Sequence, residues 1–277
     1  MNVQLLVLVV IYRRDLNQSE TLVSLAACRH LLRGSQVLVW DNSPLCTSPE
    51  QRQWLEESLP GSEYHHDPAN PGLATVYNRV IQSHLESAVA KLPGYLVLFD
   101  HDSWFGPDFF EEIERARARC RVIPLFLPIV IANGVIVSPA HLRGFKGSLW
   151  KEKKTGLIGA RHCTAINSGM VISADYLKQQ FTGYDERLRF YGTDNYFMQN
   201  YATNNSSLVV LDCVVHHDLA QFSDESVELK LSRHRESVES IRIMNEGQGF
   251  YSALANLYCW VYGVRQAIKN RDTRFLV

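Results

Sequence analysis

Short apolar runs alternate with helix-like segments through the first 120 residues, and this order constrains the fold more than any other feature. The apolar runs are short and rich in β-prone residues, which is typical of buried strands. Strands separated by helices predict a mostly parallel sheet with right-handed crossovers. The predicted strands are residues 3–12, 36–40, 63–65 and 95–99, and the predicted helices are residues 17–32, 49–58, 73–90 and 107–119.

The pattern changes after Arg121. Residues 144–162 are polar, basic and glycine-containing, which predicts a mobile loop lying over a site. We therefore predict an α/β domain followed by a helical C-terminal extension. Further strands are predicted at residues 123–131, 135–138, 165–173 and 208–215, with a break in the third at Ser168-Gly169. A helix is predicted at residues 193–202, and more helices from residue 223 onward.

The composition excludes several classes of protein. The chain has 277 residues, of which 46% are hydrophobic and 21% charged, as is ordinary for a globular protein with a sizeable core. Its net charge of −1 gives no support for nucleic-acid binding. Six scattered cysteines indicate free thiols in a reducing compartment. The first apolar run lacks signal-peptide features, and no apolar stretch reaches the roughly 18–20 residues that span a bilayer, so we expect a cytoplasmic protein.

Two carboxylates, Asp100 and Asp102, directly follow the predicted strand 95–99. In open α/β sheets, ligands bind at the carboxyl ends of the strands. Mg²⁺ and Mn²⁺ prefer oxygen ligands and are often shared between carboxylates and substrate phosphates. The pair therefore predicts a clamp for a metal-bound diphosphate. The alternative is a solvated turn whose aspartates cap the helix that starts near Pro107.

Two further segments fall where a nucleoside diphosphate would need them. Asp41 ends the second strand, and its carboxylate can accept the imide N–H of uracil or thymine, unless it forms a local turn instead. Asn70 and Gly72 precede the helix 73–90, and Asn78 lies within it. Gly72 would let backbone approach a ligand closely, and the helix N-terminus would face an anion. Simple helix initiation is the alternative.

A third segment carries the candidates for proton transfer. Displacing a nucleoside diphosphate from a sugar requires a base that deprotonates the incoming hydroxyl. Asp194, near the start of the helix 193–202, is the candidate base, and Asp185 and Glu186 lie shortly before it. Capping of the helix would explain the same residues without catalysis.

Two histidines, His216 and His217, follow the predicted strand 208–215. A neutral imidazole at that point can complete the coordination of a metal. The alternative is a structural histidine at a strand end.

The last helix has a strongly one-sided pattern. Six apolar residues recur at helical spacing on one face, which we name the apolar stripe: Phe250, Leu254, Leu257, Val261, Val264 and Ile268. Aromatic residues and a basic end accompany the stripe: Tyr251, Tyr258, Trp260, Tyr262, Arg265, Lys269, Arg271 and Arg274. The pattern fits a helix that packs back on the main domain. It also fits peripheral contact of residues 246–277 with an anionic membrane.

Taken in order, these segments resemble family 2 glycosyltransferases with the GT-A fold. The resemblance covers roughly residues 3–220 and is nearest to the bacterial rhamnosyltransferase-like subgroup that builds O-antigen and other surface polysaccharides. The segments that carry it are Asp41-Asn-Ser, Asn70-Pro-Gly-Leu-Ala, Asp100-His-Asp-Ser, Asn167-Ser-Gly, Tyr184-Asp-Glu, Tyr191-Gly-Thr-Asp and His217-Asp-Leu.

The resemblance implies an inverting, metal-dependent enzyme that uses a nucleotide-diphosphate sugar. It assigns Asp41 to the nucleobase, Asp100 and Asp102 to a DxD element with Asp102 as direct metal ligand, and Asp194 to the catalytic base. His217 would lie near the metal and the diphosphate. The residues that would shape the donor-sugar and acceptor pocket are Asn167, Ser168 and Gly169.

The chain departs from the family pattern at three points. Thr193 stands where an acidic residue is usual, which keeps Asp185 and Glu186 open as alternative bases. Gln199-Asn200 replaces an arginine that would contact the diphosphate, and Ala220 replaces a common glycine.

The expected activity follows from this resemblance. The GT-A domain would occupy residues 1–222, with a nucleotide-sugar-binding half at 1–103 and an acceptor-side half at 104–222, and residues 223–277 would form the extension. With Mn²⁺ or Mg²⁺, the enzyme would transfer a hexose or deoxyhexose from a UDP- or dTDP-sugar to a saccharide. The acceptor would be lipid-diphosphate-linked and used at the inner face of the cytoplasmic membrane in lipopolysaccharide O-antigen biosynthesis. A non-catalytic nucleotide-sugar-binding subunit and a sugar nucleotidyltransferase are the alternatives.

Overall fold

The computed structural model describes residues 4–85, 94–217 and 226–276. The strands are β1 (Leu5–Ile11), β2 (Gln36–Asp41), β3 (Glu63–His66), β4 (Tyr95–Asp100), β5 (Ser103–Trp104), β6 (Leu125–Ala132), β7 (Val135–Ser138), β8 (Ala140–Arg143), β9 (Lys146–Leu149), β10 (Gly156–Gly159), β11 (Cys163–Thr164), β12 (Met170–Ser173) and β13 (Ser207–His217). The α-helices are α1 (Glu20–Ala27), α2 (Pro49–Ser58), α3 (Leu73–Val80), α4 (Asp108–Arg119), α5 (Ala174–Gln179), α6 (Thr193–Asn204), α7 (Val227–Met244) and α8 (Phe250–Asn270).

A ten-stranded mixed sheet runs through the molecule in the order β10-β13-β6-β12-β4-β1-β2-β3, with β5 paired to β13 and β7 to β6. The strands β3, β2, β1 and β4 are parallel to their neighbours, as the alternation of strands and helices predicts. Strand β12 is inserted antiparallel between β4 and β6, and β13 is parallel to β6. The sheet is therefore parallel in its first half and mixed in its second.

Both faces of the sheet are covered by helices, so the core has two layers. Along β1, Leu6 and Leu8 face one layer, while Val7 and Val9 face the other. The first layer contains apolar residues of α3, α5 and α6, and the second contains those of α1, α2 and α4. Burial on both faces explains why the central strands are almost continuously apolar.

The register of the parallel strands brings two predicted site residues to the same edge. Val10 pairs with Asp100 on one side of β1, and Ile11 pairs with Asp41 on the other. Adjacent strands lie about 4.8 Å apart, so the two backbones are separated by about 10 Å across β1. The carboxyl end of this sheet is thus the place where a ligand can reach both residues.

The prediction of a mobile loop over residues 144–162 is wrong, because the segment contains strands. Strand β9 pairs with β8 as a hairpin, β11 completes a small three-stranded sheet, and β10 adds to the edge of the large sheet. Every residue of β9 is exposed. A strand without a buried face has no alternation of apolar and polar residues, so the sequence contains no periodic signal for it.

Two elements have different bounds from those that their apolar patterns predict. The helix 73–90 is α-helical only to Val80 and continues as a π turn over Ile81–Leu85, while residues 86–90 lie outside the described part. The predicted strand 165–173 is interrupted at Gly169 as expected, because Gly169 adopts φ +80°, a left-handed conformation that does not fit a strand, and only β12 after this break is a strand.

The C-terminal extension is a pair of antiparallel helices, and its predicted start near residue 223 lies outside the described residues. Helix α7 packs on the main domain at Gly192, where an added Cβ would lie 2.7 Å from that of Ser240. Helix α8 buries its small residues, Ala255, Cys259 and Gly263. Cys259 Sγ lies 3.8 Å from the Val238 carbonyl of α7, and an added Cβ at Gly263 would lie 2.7 Å from the Phe275 carbonyl. No helix in the described ranges is both long and apolar enough to cross a bilayer.

The apolar stripe of α8 lies on the side opposite to this packed face. Phe250 and Ile268 are 75% and 73% exposed, and Leu257 and Val261 are 57% and 44% exposed. Cys259 is nine residues from Phe250, which is two and a half helical turns. The small residues, rather than the stripe, therefore hold α8 against the rest of the molecule.

Candidate active site

Three side chains with metal-ligating atoms meet where β4 and β13 end. One ligand atom from each of Asp100, Asp102 and His217 lies within 4.8 Å of the others. Strand β5 brings them together, because Ser103 pairs with His217 in an antiparallel bridge. The predicted DxD pair and the predicted histidine thus share one site.

Hydroxyl groups from the start of α1 hold the turn that carries the two aspartates. Ser19 Oγ donates to the His101 carbonyl at 2.7 Å, and Thr21 Oγ1 donates to the Asp100 carbonyl at 2.5 Å. The same Thr21 oxygen accepts from the Ser103 amide at 2.9 Å. The sequence has no local signal for these supports, since the partners are about 80 residues apart and only the fold brings them together.

The two carboxylates differ in their surroundings. Asp100 Oδ2 accepts a hydrogen bond of 2.8 Å from Ser168 Oγ. Asp102 Oδ1 is buried without a hydrogen-bond partner among the described residues, and it lies 3.4 Å from His217 Nδ1. Burial raises the pKa of Asp102, while the nearby His217 opposes that rise.

This donor set fits a divalent cation. Buried polar atoms are normally paired, so the bare oxygen of Asp102 indicates a missing partner. Two carboxylates and one imidazole are ligands that Mn²⁺ or Mg²⁺ can accept with further oxygens from a substrate. The cluster Asp100, Asp102 and His217 is therefore the part of the described chain that could hold a metal.

His216, the alternative to His217, lies away from the cluster. Its side chain is exposed, and its ring centroid lies 5.4 Å from that of Trp104. Because successive side chains of a strand point to opposite faces, only one of the two histidines can face the aspartates.

A cavity of about 490 Å³ opens at the cluster. Asp100, His217 and Asp194 line it together. The β8–β9 hairpin forms one wall through residues such as Leu142 and Phe145, and α7 forms another. The sequence predicts residues 144–162 to lie over a site, but as a loop rather than as part of a hairpin. It gives no signal that α7, in the C-terminal extension, forms a wall.

Asp194 reaches this cavity from the first turn of α6. Gly192, with φ +86°, precedes the helix, and the Asn195 amide donates to Asp194 Oδ1 at 2.7 Å. Burial raises the pKa of Asp194 to about 6, and the charge of Asp100 contributes to the rise. A carboxylate with a pKa close to neutral is suited to accepting a proton near neutral pH.

The alternative bases, Asp185 and Glu186, are engaged elsewhere. Asp185 forms an ion pair of 2.7 Å with Arg187, whose hydrogen bonds lower the pKa of the aspartate. Glu186 accepts hydrogen bonds from Thr75 at 3.2 Å and from Asn78 at 3.1 Å. Neither carboxylate lines the cavity that contains Asp194.

Asn78 joins α3 to the segment that follows α5. Its side-chain nitrogen Nδ2 donates to the Tyr184 carbonyl at 2.9 Å, and its side-chain oxygen Oδ1 accepts from the Tyr184 backbone N–H at 2.8 Å. Together with the bond to Glu186, these contacts occupy both ends of the side chain. The Asn78 side chain therefore joins α3 to the segment that contains Tyr184 and Glu186.

The close approach predicted at Gly72 is made by the protein itself. A Cβ at Gly72 would lie 2.9 Å from the backbone of Arg189, and the Leu73 amide donates to the Arg189 carbonyl at 2.5 Å. The Asn70 carbonyl accepts from the Arg189 side chain at 3.1 Å, while Asn70 Oδ1 is buried without a partner among the described residues. Gly72 thus permits a close contact with the Arg189 backbone, and the approach of a ligand to this segment stays a prediction.

The Asn167-Ser168-Gly169 segment lies beside the cluster. Asn167 lines the cavity, and its amide donates to Thr193 Oγ1 at 3.0 Å. Ser168 contacts Asp100 as described. Gly169 packs under Pro128, where an added Cβ would lie 2.6 Å from that ring. The first two residues thus contact the site, and the third allows the chain to turn beneath it.

Asp41 is 2% exposed and borders a second cavity of about 560 Å³ at the ends of β1 and β2. Its carboxylate accepts from the Ser43 amide at 2.9 Å and from the Tyr64 hydroxyl at 2.6 Å. Burial and the bond to Asp41 raise the pKa of Tyr64, which keeps this hydroxyl protonated. The local turn expected as an alternative is present, beside a cavity that can take a ligand.

Comparison with known proteins identifies the fold. No protein-family model matches the chain, and no curated protein matches it. Among solved structures, S. aureus TarS 1–349 matches with a TM-score of 0.57 and 14% identity over 87% of this chain and 64% of that one. TarS 1–349 in complex with UDP matches with a TM-score of 0.54 and 16% identity, over 86% of this chain and 65% of that one.

A third match is GalNAc-T7 with UDP, GalNAc and Mn²⁺, with a TM-score of 0.57 and 12% identity over 78% of this chain and 44% of that one. The chain thus spans less than two thirds of each of these structures. At such identities the likeness concerns the fold. It confirms the predicted class, a GT-A sheet that is mixed, mostly parallel and flanked by helices.

Proposed function

We propose that this chain is a metal-dependent, inverting glycosyltransferase of the family 2 type. The observation that carries the proposal is that Asp100 and His217, two members of the cluster with Asp102, line the same cavity as Asp194. A cation site next to a carboxylate with a raised pKa provides both parts that such a transfer needs, charge stabilisation and a base. The GT-A fold supports this assignment by analogy.

The donor that we propose is a UDP- or dTDP-sugar carrying a hexose or deoxyhexose. The cavity beside Asp41 would take the nucleoside, with the remaining acceptor capacity of the Asp41 carboxylate directed at the base. The separation of about 10 Å across β1 suits a nucleotide whose base lies near Asp41 and whose diphosphate lies near Asp100. The matched TarS and GalNAc-T7 structures contain UDP.

Mn²⁺ or Mg²⁺ would be held by Asp102, Asp100 and His217. Such an ion supplies positive charge that stabilises the departing diphosphate. The protein's own contribution is orientation, since Ser168 fixes Asp100, and Asp102 Oδ1, which has no hydrogen-bond partner among the described residues, lies 3.4 Å from His217 Nδ1. The presence of Mn²⁺ in the matched GalNAc-T7 structure supports the choice of cation.

Asp194 would act as the base. It would take the proton of the acceptor hydroxyl while that oxygen forms a bond to the anomeric carbon of the donor sugar. The bond from that carbon to the diphosphate oxygen breaks on the opposite face, and the nucleoside diphosphate leaves with the electron pair. This single displacement inverts the anomeric centre. The structural engagement of Asp185 and Glu186 favours Asp194 over them.

We propose a lipid-diphosphate-linked saccharide as the acceptor, used at the inner face of the cytoplasmic membrane in O-antigen or other surface polysaccharide synthesis. Exposed basic residues flank the cavity wall at Arg143 and Lys146, where they can contact phosphate groups. Residues 1–103 would form the donor half and residues 104–222 the acceptor half. Residues 223–277 would add the α7 wall of the cavity.

A thermal-shift panel of UDP, dTDP, GDP and CDP, each with and without Mn²⁺, tests the donor site. A ligand that binds only the folded state raises the apparent stability of the protein. We expect a metal-dependent shift with UDP or dTDP that is lost in Asp102→Asn. Slow metal-dependent release of UDP or dTDP from a sugar nucleotide would then support transfer. No shift with any nucleotide, or release of pyrophosphate, would contradict the proposal.

A further inference from the structure

Helix α8 presents an apolar surface that no described part of the chain covers. Its stripe is directed away from α7, and its two ends are the most exposed, at Phe250 and Ile268. The helix has 21 residues and spans about 31 Å along its axis. A continuous apolar face of this length on a protein surface generally marks a contact site.

The residues at the edges of the stripe indicate the kind of surface that it contacts. Tyr251 and Trp260 are 60% and 59% exposed and lie on opposite edges, roughly 100° and 80° from the stripe. Aromatic side chains with a polar atom favour the boundary between hydrocarbon and lipid headgroups. This arrangement differs from a buried helix face, where such groups need internal partners.

The charges of α8 are all of one sign. No Asp or Glu lies between Phe250 and Arg271, whereas Arg265, Lys269 and Arg271 are exposed basic residues. None of these three forms an ion pair with a carboxylate within the described ranges. A second copy of α8 would therefore offer no acidic partner, but anionic lipid headgroups would.

We propose that the apolar stripe of α8 lies on an anionic lipid membrane, with Tyr251 and Trp260 at headgroup level and the basic residues against the anionic lipids. The helix lies in the interface and does not cross it, in keeping with the absence of a spanning helix in the described chain. This contact is inferred from α8 alone and does not depend on the proposed function.

The membrane contact also affects the position of the cavity. What this implies for the acceptor rests on the proposed function. Tyr258 of α8 contacts Phe145 at the turn of the β8–β9 hairpin, with ring centroids 5.4 Å apart. Phe145 also lines the cavity that contains Asp194. A helix held on the membrane thereby holds one wall of the cavity close to the headgroups. The partner of the site is then a lipid-anchored acceptor whose diphosphate remains at the membrane surface.

Vesicle co-sedimentation of the full chain tests the contact. The probes are phosphatidylcholine vesicles with and without phosphatidylglycerol. The variants are Leu257→Glu in the stripe and Val122→Glu, a matched control that is 89% exposed and outside α8. We expect wild type and Val122→Glu to bind the anionic vesicles, and Leu257→Glu to bind them roughly tenfold more weakly. Wild-type protein that stays in the supernatant, or unchanged binding by Leu257→Glu, would overturn the proposal.

Two controls separate this inference from its alternatives. Sedimentation velocity without lipid reports self-association, and a dimer that Leu257→Glu dissociates while vesicles fail to bind would assign the stripe to a second copy. The Mn²⁺-dependent thermal shift with UDP or dTDP is measured on the same variants. Vesicle binding without a nucleotide shift would contradict only the proposed function, and a nucleotide shift without vesicle binding would contradict only the membrane contact.

Discussion

Ser168 Oγ donates a hydrogen bond of 2.8 Å to Asp100 Oδ2, joining residues that are 68 positions apart. The bond fixes one carboxylate of the cluster, while Asp102 keeps an oxygen that accepts no hydrogen bond from the described residues. Groups that orient metal ligands in this way commonly alter metal affinity by 10–100-fold when they are removed. Ser168 is thus a positioning residue for the proposed cation.

We expect Ser168→Ala to weaken Mn²⁺ binding by roughly 10–100-fold, because Asp100 would no longer be held in one orientation. Calorimetric titration with Mn²⁺ measures the effect, and Ser206→Ala at an exposed site is the control. Equal Mn²⁺ affinity in Ser168→Ala and wild type would show that Ser168 does not support a metal ligand.

The two adjacent histidines should differ in their effect on metal binding. We expect His217→Ala to weaken Mn²⁺ binding at least roughly tenfold, because only His217 belongs to the cluster. His216→Ala should leave the affinity near that of wild type, since its ring packs on Trp104. The same titration applied to both variants decides the assignment, and a larger loss in His216→Ala would reverse it.

Replacing the base should remove transfer and keep donor binding. We expect Asp194→Asn to lower kcat by roughly 10²–10⁴-fold, the usual contribution of a positioned base. In wild type, kcat/KM should fall about tenfold per pH unit below the Asp194 pKa of about 6, where the carboxylate becomes protonated. Product release across pH, together with UDP thermal shifts, provides the measurement. Turnover by Asp194→Asn close to the wild-type rate would exclude Asp194 as the base.

Asp194 should also reduce stability at neutral pH. Its folded-state pKa of about 6 exceeds the ordinary value of 3.8, so the charged form is disfavoured in the folded protein. This destabilisation is absent below pH 3.8 and is complete above pH 6. We expect Asp194→Asn to raise the free energy of unfolding at pH 7 by about 3 kcal/mol at most, with a smaller difference at acidic pH. Urea denaturation at both pH values tests this, and a difference that does not depend on pH would show that the buried charge is not its cause.

Asn78 should act on stability more than on donor affinity. Its side chain bonds to both backbone groups of Tyr184 and to Glu186. We expect Asn78→Ala to lower the free energy of unfolding by roughly 1–3 kcal/mol, because these groups would lose their partners. Urea denaturation together with UDP titration separates the two roles. A loss of UDP affinity at unchanged stability would support direct contact with the donor instead.

Much of the architecture followed from periodicity alone. Because both faces of the sheet are buried, β1, β2 and β4 appear in the sequence as short apolar runs with clear ends. Their ends identified Asp41 and Asp100, since parallel strands deliver such residues to the same edge. The hairpin β8–β9 escaped prediction because its outer strand is exposed on both sides and has no apolar period.

The remaining parts of the site depend on contacts between distant segments. Thr21, Ser168 and His217 reach the two aspartates from three different parts of the chain, and no local sequence pattern encodes these contacts. Asn78 and Gly72 carried motif signals that suggested a ligand, but the fold uses the amide and the backbone there for internal contacts. A motif specifies which groups are present, and packing decides what they contact.

Helix α8 shows most clearly which features follow from the sequence and which depend on the tertiary structure. Its existence and its apolar stripe could be predicted from residue spacing, because a repeat of three and four residues places those side chains on one face. That the stripe faces outward became evident only from the packing of α8 on α7. The small residues Ala255, Cys259 and Gly263 allow close approach to α7 and to the Phe275 backbone, and this close packing uses the opposite face. Periodicity defines the faces of a helix, whereas the choice of the buried face depends on the shape of the neighbour that packs against it.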